Sequence, residues 1–417
     1  MSTAGTGVTA EMETRNEERS ANTAAAMDIV VCLGPWYEDA PENVLSPLLL
    51  TLQQALGDRA SRTLIAYPAS DPQAQSWQHD GLLLQPYLPS SKMHQLAVQT
   101  ATSYLSLYEI MRAHESACGI LLGAEAQSLQ APAIRGMVEA VCDRGADLGL
   151  ACYDITPYEG LVNASMLYPL TRAIFQVKAT FPLALDLAMS SRMAERMAAA
   201  AQKCTAAGQP EALVWPAAEA ATAGFTVAEV SAGVRDLPHP TGGDLSSLLN
   251  TVASSVFSDI EAKASFWQRT RPSLPLLEIE AVPSQTRTAD PVGPEEITEL
   301  VEGFRIAYGN LHEIWSLVLP PQTLLGLKRL SRASAEEFAM PDALWVRIVY
   351  DFVLAHRLRT INRGHLMGSL TPLYLAWVAS HIIAGANGSS LDTLARAFEA
   401  DKPYLVSRWR WPDRFNP

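Results

Sequence analysis

The chain has 417 residues, 48% of them hydrophobic and 18% charged, with a formal net charge of −13. That length exceeds what one compact core usually holds and predicts two domains. The acidic balance, with no basic stripe to offset it, argues against a nucleic-acid or anionic-membrane partner, so a bound anion has to be held by a few local cations or by helix N-termini.

Residues 1–26 are polar and lack an apolar h-region, so they read as a disordered tail rather than a signal peptide, and Met27 could be the natural start. "MDIVVCLGP" (27–35) is a short β-rich run stopped by Gly-Pro. "ENVLSPLLLTLQQALGD" follows with helical spacing, and "RTLIAYPASD" (62–71) is a second strand. "SSKMHQLAVQTATSYLSLYEIMRAH" predicts a long helix capped by Ser90 or Ser91. "CGILLGA" is a strand, "APAIRGMVEAVCDRG" a helix and "DLGLACYDI" a strand. Strands alternating with helices imply an α/β, mostly parallel sheet, whose ligands lie outside the carboxyl ends of the strands. Gly34-Pro35, Ser70-Asp71, Gly123-Ala124-Glu125 and Tyr153-Asp154 all fall there.

The pattern changes after residue 245. "DLSSLLNTVASSVFSDIEAKASFWQR" is helical, "RPSLPLLEIEAVPSQTRTADPVGPEE" reads as a Pro-rich connection, and residues 294–407 read as helix with breaks at Pro320-Pro321, Pro341 and Pro372. The expected organisation is a tail (1–26), an α/β domain (27–245), a helix and Pro-rich connection (246–293) and a helical C-terminal domain or extension (294–417). No apolar run reaches the roughly 18 residues of a membrane span. The nearest, "LMGSLTPLYLAWVASHIIAG", is expected to be a buried helix pair. Five cysteines with no CxxC pair suit a reduced, cytoplasmic protein in which they are buried small hydrophobes.

"LVNASMLYPLTRAIFQ" (161–176) resembles the "ITNsivYPLTRALyG" segment of bacterial glucosylglycerate synthases and their relatives. These are retaining GT-A glycosyltransferases, close to mannosylglycerate and glucosyl-phosphoglycerate synthases. "WVRIVYDFVLAHRLRTINRGHLMGSLTPLYLAWVAS" (345–380) and "AFEADKPYLVSRW" (397–409) resemble the family's helical C-terminal segments, so the likeness spans nearly the whole chain. It implies a GT-A fold, a nucleotide-diphospho-sugar transferase sheet followed by an all-α domain. It also implies a UDP-, GDP- or ADP-hexose donor, a small hydroxy-acid acceptor of the glycerate type, and Mg²⁺ or Mn²⁺. A homodimer is compatible with this reading.

The metal-binding pattern of that family is degraded here. Its "DaDlrSi" falls on Gly123-Ala124-Glu125-Ala126-Gln127-Ser128-Leu129, so the first acid is a glycine and the second is Glu125. Its "RQPIGGDFGlS" falls on "ATFPLALDLAMSS" (179–191), which keeps Asp186 but turns two glycines into Ala184 and Leu185, where a leucine would crowd a ligand. Its "IDiWmTT" falls on "ALVWPAAEA" (212–220), which keeps Trp215 while Leu213, Ala217 and Ala218 replace polar groups. Its metal-binding histidine has no certain counterpart in "GVRDLPHPTGGDL" (233–245), where Asp236 or His239 could substitute. Its "GKGSA" loop keeps only Lys92.

The resemblance therefore implies Asp186 and Glu125 as catalytic acids, and Glu125, Asp236 and His239 as a weak or lost metal set. Asp71, Lys92, Arg172 and Tyr168 are implied as substrate contacts. An acid such as Asp186 in an apolar segment has to be paired or face a cleft. Lys92, Arg235 or a helix N-terminus could take over from the cation. Two functions remain open. One is a divergent hexosyltransferase with weak or no metal dependence. The other is a pseudo-glycosyltransferase kept for binding or assembly.

Overall fold

The structure is a computed structural model that describes residues 27–34, 41–69, 76–88, 98–209, 212–235, 245–269, 272–289, 291–385 and 390–412. In its first half, strands and helices alternate: β1 (Ile29–Leu33), α1 (Pro41–Leu56), β2 (Thr63–Pro68), β3 (Trp77–His79), β4 (Leu82–Tyr87), α2 (Ala101–Ala113), β5 (Cys118–Leu122) and α3 (Ala131–Val138). Then come β6 (Leu148–Tyr153), α4 (Tyr168–Phe175), β7 (Leu187–Ser190), α5 (Ser191–Ala206), α6 (Pro216–Ala223) and β8 (Val227–Gly233). All strands, with β9 (Leu276–Ile279), join one sheet in the order β3-β4-β2-β1-β5-β7-β6-β8-β9. Among the described strands of this sheet, the β3–β4, β5–β7 and β7–β6 pairings are antiparallel and the rest parallel.

β1 is buried on both faces, which is why it reads as an unbroken apolar run. Ile29, Val31 and Leu33 point into one core with Leu48 and Leu52 of α1 and Ile134 of α3. Val30 and Cys32 point into the other, with Leu107 of α2, Leu170 of α4 and Met193 of α5. The chain departs from β1 to β2 on one side and to β5 on the other. This is the switch point at which doubly wound sheets hold ligands. There the Gly34 N–H donates to the Leu122 carbonyl at 2.7 Å. A Cβ on Gly34 would come within 3.0 Å of that same oxygen.

The second half is helical apart from β9: α7 (Leu245–Ala262), the short α8 (Ala264–Trp267), α9 (Pro294–Ser316), α10 (Pro321–Leu330), α11 (Asp342–Leu358), α12 (Arg363–Ala384) and α13 (Leu391–Arg410). Its core is continuous with the α2–α4–α5 face of the sheet, since Phe257, Trp345 and Phe398 belong to the same buried cluster as Val30 and Leu121. The helical part and that face of the sheet therefore share one apolar core.

Three expectations are corrected. The helix before β5 starts at Ala101, where Thr100 and Ser103 form a capping box, and residues 89–97 lie outside the described set. The Pro-rich connection contains β9, which pairs with β8 at the edge of the sheet. Pro372 lies inside α12 instead of dividing a helix pair. Burial of Leu366, Leu370, Leu373 and Tyr374 outweighs the lost hydrogen bond, and the Trp315 indole N–H donates at 3.0 Å to the Ser369 carbonyl, three residues before the proline. Among the described residues α12 is the one helix long and apolar enough to cross a membrane, and 56% of its apolar window is buried within the protein.

Of the acids in the helical core that burial shifts upward, Asp351 is shifted furthest, to about 7 against about 6 for Asp259. Asp351 of α11 is buried; one carboxylate oxygen accepts the Tyr404 hydroxyl at 2.6 Å and the other has no hydrogen-bond partner. Burial pushes its pKa from 3.8 up to about 7, although Tyr404, Arg408 and Arg347 pull the other way. The folded chain keeps a proton that the unfolded chain releases near pH 4, so this group lowers stability as pH rises from about 4 to about 7. Asp351→Asn should gain stability over the parent across that interval, by up to about 4 kcal/mol. Urea unfolding at the two ends of the interval measures it, and a pH-independent difference would count against this account.

Candidate functional site

β5 runs out at Leu122 into Gly123-Ala124-Glu125, and Glu125 takes a left-handed φ of 60°. Its carbonyl accepts the Ser128 hydroxyl at 2.7 Å, closing a tight turn at the carboxyl edge. Asp186 immediately precedes β7, which slots between β5 and β6. That placement sets Asp186 beside Gly123 on one flank and the end of β6, at Tyr153, on the other. Arg235 lies two residues past β8.

These groups close on one another. Asp186 Oδ1 accepts the Gly123 N–H at 2.9 Å, and Oδ2 accepts the Tyr153 hydroxyl at 3.0 Å and Arg235 Nε at 2.9 Å. Arg235 Nη2 donates to the Ala124 carbonyl at 2.6 Å, and Nη1 donates to the Ser128 hydroxyl at 3.1 Å and to the Glu125 carbonyl. Asp186 is 0% and Arg235 1% exposed, so neither reaches solvent. Burial would lower the Arg235 pKa, but Asp186 outweighs it and the net shift is upward. Burial lifts the Tyr153 phenol well above its usual range, so it stays a neutral donor. The loop that would present oxygen ligands to a cation presents its carbonyls to a guanidinium instead.

A divalent-metal site does not fit what is present. Hard cations take six or more oxygens, usually including two or more carboxylates. Here Glu125 is the single acid left on the loop, and its Oε2 accepts the Gln127 amide at 2.5 Å. Among the described residues no three His, Cys, Asp or Glu side chains could hold a metal ion. Asp236 and His239, expected as substitutes, and Asp71 and Lys92, expected as donor contacts, lie outside the described residues.

The structure redirects two further expectations. Asp186, expected as a catalytic acid, is sealed in the pair with Arg235. Tyr168 and Arg172, expected as substrate contacts, tie α4 to α13. Arg172 donates through Nε and Nη2 to Glu399 at 2.8 and 3.2 Å, and through Nη1 to the Tyr168 hydroxyl at 3.1 Å and to Asp392. Every guanidinium nitrogen thereby has a protein acceptor. Leu213, Ala217 and Ala218 are buried core residues, and Leu213 makes a β-bridge to Thr100. Tyr153 was placed at the carboxyl edge by its sequence, but its role as a donor to Asp186 was not legible, because a tyrosine ending a strand carries no signal for which distant acid it meets.

The crowding expected from Leu185 is found on the opposite strand end. A Cβ at Gly123 would lie 3.1 Å from Leu185 Cβ and 3.2 Å from its carbonyl oxygen. Gly123→Asp should therefore lower stability and still fail to bind Mn²⁺ stoichiometrically. Mn²⁺ titration followed by calorimetry checks this, and a tight one-to-one site in the variant would overturn it.

The sequence matches no protein-family model and no curated protein. Among solved structures, the chain is similar to glucosyl-3-phosphoglycerate synthase from Mycobacterium tuberculosis, solved with Mn²⁺, UDP-glucose and phosphoglyceric acid. The identity is 13%, over 59% of this chain and 82% of that one, with a TM-score of 0.33. A likeness at that level fixes neither activity nor ligand.

Proposed function

We propose that the chain is a glycosyltransferase-like protein of the GT-A type that binds a nucleotide-sugar at the carboxyl edge of its sheet without a divalent cation. The observation that carries this reading is the buried Arg235–Asp186 pair, whose guanidinium, its charge compensated by Asp186, occupies the loop carbonyls after β5 that a cation would otherwise need. Support for the ligand class comes from the sequence resemblance and from the strand-order switch point between β1 and β5. Of the two functional versions, the pseudo-glycosyltransferase is the better supported. Asp186 is sealed away from any substrate, and Leu213 neither carries charge nor donates a hydrogen bond to a leaving diphosphate. The divergent version would transfer hexose to a glycerate-type acceptor using Glu125.

Calorimetric titration with UDP-, GDP- and ADP-glucose, with Mn²⁺ and with EDTA, tests the proposal. One nucleotide-sugar should bind equally in both conditions, with no hexose transferred to glycerate. Mn²⁺-dependent binding would sink the metal-free reading. EDTA-resistant transfer abolished by Glu125→Ala would favour the divergent enzyme.

A further inference from the structure

A second site stands apart from the carboxyl-edge cluster and shares no residue with it. A groove of about 890 Å³ runs between the second half of α5, the face of α7 that carries Ser254 and Ser258, and the facing ends of α11 and α12. That is the size of a small-molecule pocket. Its lining includes Arg196, Lys203, Lys263 and Arg363; Arg196 and Lys263 pair with Glu219, Lys263 also with Asp259, and Arg363 through Nη2 with Glu261, which leaves Lys203 as the lining cation with no ion-pair partner among the described residues.

The polar groups there are incompletely used. Eight buried side-chain atoms among the described residues lack a hydrogen-bond partner, and three of them belong to lining residues of this groove: His356 Nδ1, Asp259 Oδ2 and Arg363 Nε. Buried polar atoms are nearly always satisfied, so three orphans on one groove point to a missing partner. His356 is 1% exposed, and burial together with Arg363 and Arg359 pushes its pKa down to about 4, so its neutral ring offers one donor and one acceptor. Ser254 and Ser258, one turn apart on α7, make no hydrogen bond to other described residues, and exposed Lys203 has no ion-pair partner among them.

We propose that this groove binds a small polyhydroxylated anion. The anionic group would meet Lys203 and Arg363, and hydroxyls would meet Asp259, His356 and the two serines. The inference is independent of nucleotide-sugar binding, so either can fail without the other.

The test is calorimetric titration of the full chain with glycerol 3-phosphate, with glycerol and inorganic phosphate as separate probes. Glycerol 3-phosphate should bind, and each of its halves should bind at least about tenfold more weakly. Lys203→Glu and Ser258→Asp, both at exposed positions, should weaken binding about 10- to 100-fold. The charge reversal Lys328→Glu on α10, outside the groove, should leave binding unchanged. No binding of glycerol 3-phosphate at millimolar concentration would overturn the proposal. So would equal affinity in Lys203→Glu and the parent, or inorganic phosphate binding as tightly as the phosphorylated polyol.

Discussion

Arg235→Met is expected to lower the unfolding free energy by about 3–5 kcal/mol, the largest single-residue effect anticipated in this chain. Removing the guanidinium leaves Asp186 fully buried, with only the Tyr153 hydroxyl and the Gly123 N–H as donors. It also strips the Ala124 and Glu125 carbonyls of the cation that crosslinks their turn to β8. Leaving a charge buried and unpaired is far costlier than never having the pair. Arg235→Met combined with Asp186→Leu should therefore recover much of the loss, because apolar replacement of a whole buried pair is often neutral or stabilising. Urea unfolding of the two single variants and the double variant measures the coupling. If Arg235→Met stays within about 1 kcal/mol of the parent, the pair does not hold this corner as described.

Arg172→Met is expected to cost about 1–3 kcal/mol and to loosen α13 selectively. The Arg172 side chain is 8% exposed, and it gathers Glu399 and Tyr168 against the end of α4. The effect is smaller than at Arg235 because the acids left behind can rehydrate: Glu399 is 30% exposed and Asp392 46%. Asp392 lies at the solvent edge, where loss of Arg172 costs it little. Faster amide hydrogen exchange in α13, with α11 unchanged, is the expected signature. Uniform exchange across both helices, or none, would argue that α13 is held by its apolar contacts alone. Phe398 and Leu405 supply those contacts.

Much of the scaffold was legible in the sequence. β1, β2, β5 and β6 are short apolar runs closed by Gly, Pro or Asp, and burial on both faces produces that pattern. The helices beyond residue 294 follow from their spacing, with true breaks at Pro320-Pro321 and Pro341. β7 and β9 have four residues each and β3 has three, so they carry too little local pattern and exist because neighbouring strands offer them hydrogen-bond ladders. Pro372 misled because tertiary burial outweighs a single missing N–H.

At the candidate site the division is sharper. By itself the sequence determined that Asp186, set among apolar residues, requires a partner. It left open whether that partner is a ligand or the protein itself. Only the tertiary structure decided this, by inserting β7 between β5 and β6 and so bringing Asp186 to Gly123, Tyr153 and Arg235, which lie 63, 33 and 49 residues away in the chain. Local propensity can demand that a buried charge be neutralised. Which group neutralises it depends on strand order, and strand order is set by how whole faces of the sheet bury their apolar surface.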